Sequence, residues 1–234
     1  DVLEAKACAY EKLNQVAAVK RWQKVCSSDP FQLLGPIRLI ETDSDQFLAV
    51  LHHRRAGVST NTWLRVLHNY ALDMGWLLAP VLPKKAWPPI HYKDKRGITE
   101  QEHQRILADI RDDEGQEWRC YLQLLWETGG AQGDIANLNQ DRVDWEQEIL
   151  LYRRAKTKNS GYEFAKIRIG ENLRVILDQL PARGFFFPHL AKMNTENRSR
   201  RFRRSCERLG IKGVTLHSYR YAWAERAAKA DVPI

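Results

Sequence analysis

The chain has 234 residues, room for one large domain or two modest ones at the roughly 100–200 residues usual for each. With 44% hydrophobic residues, including 8 Trp, 8 Tyr and 7 Phe, it can bury enough apolar surface to outweigh its conformational entropy, which excludes a fibre, a peptide and a broadly disordered chain. Thirty-seven basic residues against 29 acidic ones give a net charge of +8, which suits a polyanionic partner without establishing one.

The start, Asp1-Val2-Leu3-Glu4-Ala5-Lys6, lacks the basic-then-apolar order of a secretory signal, and no apolar run approaches the ~20 residues that span a bilayer. A soluble, unsecreted protein is expected. From Leu3 to Val25 the chain is rich in Ala, Glu, Lys and Gln, with Leu13, Val16, Ala17 and Lys20 at helical spacing. That pattern predicts one helix, broken by Asp29-Pro30. Thr42-Asp43-Ser44-Asp45 offers an N-cap for a helix through Phe47, Leu48 and Leu51. Ser59-Thr60 leads a second through Trp63, Leu64, Val66, Leu67, Tyr70 and Ala71, with Gly57 joining the two. Between Ala79 and Pro89 four prolines forbid a helix interior and favour an extended connector. The expected division is a helical domain over 1–82, a Pro-rich, basic linker over 83–96 and a second domain over 97–234.

After the connector, Thr99-x-x-Glu102 is a capping box that starts a helix by satisfying its orphan amides. A longer helical stretch through Trp118 to Trp126 ends at Thr128-Gly129-Gly130, and another helix begins near Gln132 or Gly133, including Asp134, Ile135 and Leu138. The period then changes. Val143 to Arg153 and Tyr162 to Ile169 are β-rich and partly alternating, separated by the polar Lys156-Thr157-Lys158-Asn159-Ser160-Gly161, and read as a hairpin. Beyond Glu171 the patterns are helical again, and in one of them Phe202, Cys206 and Leu209 share a face. The fold class is therefore mainly α with a small antiparallel β-sheet.

Four cysteines, Cys8, Cys26, Cys120 and Cys206, contain no CxxC pair, which argues against a disulfide framework and a zinc site. His52, His53, His68, His91, His103 and His189 lack metal-ligand spacing and acidic partners, and no metal or cofactor is expected. Arg198, Arg200, Arg201, Arg203, Arg204 and Arg208 face only Glu207 in the same short stretch, a concentration that favours phosphate contact over a merely solvated helix face. Near the end, His217 and Arg220 stand three apart in Thr215-Leu216-His217-Ser218-Tyr219-Arg220-Tyr221-Ala222-Trp223, so both would project from one side of a helix start.

There the chain resembles the tyrosine recombinases, or phage integrases, whose second signature is a His-x-x-Arg followed by an aromatic-rich helix. The order of segments is similar from about Phe31 to Ile234. The resemblance implies a helical, SAM-like core-binding domain that clamps DNA, then an α/β catalytic domain with a Thr-Gly box and a lysine hairpin. Carried over, His217 and Arg220 hold the scissile phosphate, and Lys156 protonates the leaving 5′-oxygen, with Lys158 in reserve and as a DNA contact. Asp134 braces the first box. Thr60, Asn61 and Arg65 enter the major groove, or else Ser59 or Thr60 merely caps the helix.

Two departures stand out. The family's first catalytic Arg falls on Ala131, beside the neutral Gln132, and losing such a donor costs about 10²–10³ in rate. The family's nucleophilic Tyr lies beyond a Gly-His box, and this sequence stops at Asp231-Val232-Pro233-Ile234 with no such box. Tyr219 and Tyr221 have the wrong position for that role. The expected partner is duplex DNA, with the full-length protein a tetramer on DNA, this fragment a monomer and inactive alone, and the location the bacterial cytoplasm at the nucleoid. The rival reading is a non-catalytic DNA-binding protein on the same scaffold, which Ala131 and the missing Tyr would suit. An enzyme of unrelated chemistry has no phosphate loop, metal motif or nucleophile elbow in its favour.

Overall fold

The computed structural model describes residues 2–13, 15–90, 94–110, 115–154 and 164–230, and divides the chain into two compact units, Asp1–Lys93 and Asp94–Ile234. Among the described residues no helix is long and apolar enough to cross a membrane, and no cluster of His, Cys, Asp and Glu could hold a metal ion.

The first unit is helical: α1 (Val2–Lys12), α2 (Val16–Cys26), α3 (Asp29–Gln32), α4 (Ser44–Leu51) and α5 (Val58–Asp73). The single helix expected from Leu3 to Val25 is two helices packed on each other. Gln15 donates to the Tyr10 carbonyl and its own carbonyl accepts from Ala18 and Val19, which closes α1 and opens α2. Folding back lets both helices bury apolar residues in one core, Ala7 from α1 and Trp22 and Val25 from α2, where a straight rod would leave part of the stripe in water. Asp29-Pro30 ends α2 and also starts α3, since proline's lost N–H is harmless in a first turn. Asp43 caps α4 through a reciprocal box with Gln46, with both hydrogen bonds at 2.9 Å.

The proline-rich connector is not a free spacer. Leu82 is buried in the core of the first unit, and the Trp87 indole donates to the Leu82 carbonyl at 3.0 Å while lying edge-on to Phe47 and His68. Val81 N–H donates to His68 Nε2 at 3.2 Å. The boundary between the units accordingly falls between Lys93 and Asp94, near the end of the segment expected to link them.

The second unit contains α6 (Glu100–Ala108), α7 (Gly115–Thr128), α8 (Gln132–Ala136), β1 (Val143–Asp144), β2 (Ile149–Arg153), β3 (Phe164–Arg168), α9 (Glu171–Leu177), α10 (Pro188–Lys192), α11 (Thr195–Arg208) and α12 (Ser218–Lys229). The strands form an antiparallel sheet in the order β1-β2-β3, with Leu150 opposite Ile167 and Tyr152 opposite Ala165. The turn joining β2 to β3 lies outside the described residues. Helix α7 is the hub: Trp118, Cys120, Tyr121, Leu122, Leu124 and Leu125 are all buried, and α8, α9 and α12 pack against it.

The Thr99 box forms at the start of α6, with Glu102 N–H donating to Thr99 Oγ1 at 3.2 Å and Thr99 N–H to Glu102 at 3.0 Å. Arg96 grips both carboxylate oxygens of Glu102 at 2.6 and 2.7 Å and also donates to the Lys212 carbonyl at 2.6 Å. This charge-assisted fork holds the Glu102 carboxyl down at about 2.

His103 is buried between α6, α7 and α12, stacked 4.6 Å from Trp126, with Nδ1 at 3.1 Å from the Tyr219 hydroxyl. Burial, and then the Arg226 charge, push its imidazole down to about 4 from the ordinary 6.5. Below pH 6.5 the unfolded chain takes up a proton that the folded one refuses until about pH 4, so stability falls as pH drops through that window. The expected slope is up to ~1.4 kcal/mol per pH unit. Glu102 contributes in a separate window, with stability present above 4.5 and lost towards 2. Urea unfolding between pH 6.5 and 5 should show a fall that His103→Gln flattens; equal slopes in the two proteins would place the acid sensitivity elsewhere.

Candidate functional site

The site is assembled where α7 ends. Its C-terminal turn is dictated by glycine: Gly129 sits at φ +60°, where a Cβ would also lie 2.7 Å from the Trp223 ring, and a Cβ on Gly130 would lie 2.6 Å from Ile135. Thr128 Oγ1 donates to the Leu124 carbonyl at 2.6 Å and accepts from Gly130 N–H at 3.1 Å, so the turn is braced from within. Its free carbonyl meets the second box. Arg220, in the first turn of α12, donates through Nη1 to the Gly129 carbonyl at 3.1 Å, a contact across 91 residues of sequence.

Helix α12 is fixed by its buried face, Tyr219 and Ala222, preceded by Leu216, while His217 at its N-cap and Arg220 stay exposed. The His217 ring lies edge-on to Tyr221 at 5.0 Å, and the Ser218 hydroxyl accepts from Thr215 N–H at 3.0 Å, which holds the approach to the helix. The expected pair thus stands on one helix start, with the side chains reaching solvent.

Ala131 is the N-cap of α8 and brings no side-chain cap, and the Gln132 carbonyl accepts from Tyr121 at 3.0 Å. Gln132 Oε1 is buried without a hydrogen-bond partner among the described residues. Asp134, half-buried on α8, and Arg220 both act on the hydroxyl of Tyr152, a β2 residue not singled out in the sequence. Burial raises the Tyr152 phenol above its usual range; Arg220 and Arg154 oppose that shift and Asp134 reinforces it. Asp134, Tyr152 and Arg220 therefore share one electrostatic neighbourhood. Lys156 and Lys158 lie outside the described residues.

Several expected contacts are redirected by burial. Arg198 is 4% exposed, with Nη1 donating to the Leu190 carbonyl at 2.7 Å and to the Met193 carbonyl, and Nη2 to Thr195 at 3.3 Å. It ties α11 to the end of α10 and cannot face phosphate. The remaining arginines are also less uncompensated than the local sequence suggests: Arg200 pairs with Glu196, Arg203 with Glu207, and Arg208 bidentately with Asp109 from α6's end. Arg201 lies over the Trp118 ring at 4.9 Å. Arg200, Arg201, Arg204 and Arg208 line one groove of about 1050 Å³ with Asn197 and Trp118. His189 likewise has an acidic partner, Glu117, at 2.7 Å.

In the first unit, Thr60 and Asn61 are buried. Thr60 Oγ1 accepts from Gly57 N–H at 3.2 Å as a helix cap. Asn61 and Arg65 donate to the Pro88 carbonyl at 3.1 and 3.4 Å, and the Arg65 guanidinium stacks 5.0 Å over Trp87. Asn61 and Arg65 hold the connector while Thr60 caps its own helix, so the polar groups expected to read a DNA groove are engaged within the first unit.

Residues 96–234 match the sequence profile of the phage integrase family. The chain belongs to that family. Its architecture is similar to that of the Tn1549 transposon integrase solved in complex with circular intermediate DNA, at 15% identity and a TM-score of 0.72, covering 99% of this chain and 88% of the other. It is similar also to a lambda integrase dimer bound to a COC′ core site, again at 15% identity and 0.72, covering 98% and 90%. No curated protein sequence matches the chain.

Within the phage integrase frame, the contact of Arg220 with Gly129 unites the first and second boxes, and the glycine is what makes it possible. Gly129→Ala would force a left-handed alanine into the Trp223 ring, an expected loss of at least about 2 kcal/mol from strain and overpacking. Denaturant titration checks this against Gly133→Ala, whose Cβ enters open space and should leave stability unchanged or raise it by up to about 1 kcal/mol.

Proposed function

We propose that this chain binds duplex DNA and belongs to a recombinase that breaks and rejoins strands through a 3′-phosphotyrosyl intermediate. The observation that carries the reading is the Arg220–Gly129 contact, which sets an exposed guanidinium and the neighbouring His217 at one helix start. A guanidinium has five N–H donors in a planar fork, so the bond to Gly129 leaves others for a phosphodiester.

In the proposed reaction a tyrosine phenolate attacks the scissile phosphorus, and Arg220 and His217 stabilise the charge that develops on its oxygens. Lys156 gives a proton to the departing 5′-oxygen, and the phosphotyrosyl bond keeps the energy of the broken one for rejoining. No tyrosine of these 234 residues is assigned the nucleophile's role. Asp134 is a positioning residue, supporting the arginine across the Tyr152 hydroxyl. The proposed working assembly is a tetramer on DNA in the bacterial cytoplasm.

Ala131 favours a second reading, a DNA-binding protein that keeps the scaffold without cutting, because the N-cap of α8 offers no side-chain donor to a phosphate. Reading the encoding frame past the Ile234 codon separates the two: a Gly-His box followed by a Tyr supports the recombinase, and a stop codon supports the binding protein.

Phosphate contacts through α11 should appear in the salt dependence of binding to duplexes of unrelated sequence. Arg203→Ala and Arg204→Ala should each lower the log–log salt slope by about one while leaving thermal stability unchanged. Arg198→Ala should instead destabilise by about 2 kcal/mol, because the Leu190 and Met193 carbonyls lose their charged donor and the buried side chain leaves a void. Unchanged slopes in the first two variants would remove α11 from the interface.

A further inference from the structure

A phosphodiester presents two non-bridging oxygens, and the pentacoordinate state formed when it is attacked carries more negative charge than the ground state. One guanidinium already bonded to Gly129 is a thin complement for that charge, and the α8 N-cap, Ala131, adds no side-chain donor. His217 stands beside Arg220 on the same helix start, so a further fixed guanidinium would have to come from another element near Asp134 and Arg220. Strand β2 supplies one. Its inward face reads Leu150 at 0% exposure, then Tyr152 at 5%, and successive residues on one strand face are ~6.7 Å apart, so the next position on that face is Arg154. Arg154 is half-buried, immediately beyond the last residue of β2. Helix α8, which carries Asp134, packs against this strand.

We propose that Arg154 is the second phosphate-binding arginine of the site, reaching from the end of β2 to the phosphodiester held by Arg220 and replacing the donor that Ala131 cannot provide. The placement is supported by the Tyr152 hydroxyl, which feels both Arg154 and Arg220 as well as Asp134. Two guanidiniums from different elements, one anchored on a backbone carbonyl and one on the strand, bracket the anion from two sides. The phenol of Tyr152, kept protonated by burial, lies in the same neighbourhood and adds no negative charge to oppose a phosphate.

This inference rests on the DNA-binding reading, and the experiment separates the two. Binding of the 234-residue chain to a random-sequence duplex is measured across salt concentrations for the parent, Arg154→Ala, Arg154→Lys, Arg220→Ala and the double variant Arg154→Ala/Ala131→Arg, with thermal midpoints as a check on folding. Arg154→Ala should lower the log–log salt slope by about one, matching Arg220→Ala. Arg154→Lys should keep the slope while binding several-fold more weakly, since an ammonium loses the bidentate fork. The double variant should recover the parent slope. A slope unchanged by Arg154→Ala while Arg220→Ala lowers it would overturn the role of Arg154 and leave the DNA reading standing. Absence of salt-dependent binding by the parent would overturn both.

Discussion

The geometry of the site depends on the unsatisfied carbonyls at the end of α7. A helix terminus leaves its last carbonyls without intrahelical donors, and the negative end of the helix dipole points the same way. Two arginines of α12 answer this: Arg226 donates to the Trp126 carbonyl and stacks 3.7 Å over the Trp126 ring, while Arg220 donates to the Gly129 carbonyl. The same bonds that complete α7 thereby fix the azimuth of α12. His217 and Arg220 are consequently aimed by helix-capping physics before any ligand arrives. In the proposed reaction, preorganisation of this kind would leave little reorganisation for an arriving phosphate to demand.

Close backbone approach keeps α12 in that position. A Cβ on Gly97 would lie 2.9 Å from the Ala222 backbone and 2.8 Å from Glu225, so the segment entering α6 touches α12 without intervening side chains. Gly129 makes the corresponding approach from the other end, against Trp223. Between them Tyr219 and His103 are desolvated, the former with its phenol raised well above the ordinary range by burial. Arg226 is itself depressed by burial, and Glu127 is raised by burial and lowered by Arg226. The scaffold beneath the exposed pair is a tightly packed aromatic layer with few ways to yield.

Local rules were enough to read much of this. Capping at Asp43 and Thr99, the glycine stop after Thr128 and the strand alternation ending at Arg153 each depend on a handful of neighbouring residues, and they fix element types and order. Residue burial is set instead by what another part of the chain places opposite. Arg198 is enclosed by the Leu190 and Met193 carbonyls only eight and five residues upstream, but no capping or turn motif announces that α10 and α11 meet there, and Asn61 and Arg65 look like part of a groove-facing polar set until Pro88 and Trp87 fold onto them. The fold-back between α1 and α2 was hidden for the same reason, since helical spacing continues across the turn. Tyr152 was readable as a strand residue, but the influence of Asp134 and Arg220 on its hydroxyl comes from helices that the local sequence around it does not reveal.

The basic helix α11 shows how far charge counting can mislead, and where it remains useful. Arg198 is spent internally, and Arg208 is held by a bidentate carboxylate fork that resists exchange. The Glu196–Arg200 and Glu207–Arg203 pairs are single contacts at 3.4 and 3.5 Å on an exposed helix face, the kind of i,i+4 interaction worth only about 0.3–0.5 kcal/mol. Such a pair can be given up for a phosphate, which offers more charge and more acceptor oxygens to the same guanidinium. The acidic partners therefore align these arginines in the absence of a ligand without competing strongly for them. An anion approaching α11 would meet Arg200, Arg203 and Arg204 as its readily exchanged cations, a narrower and better-defined surface than six closely spaced arginines would suggest.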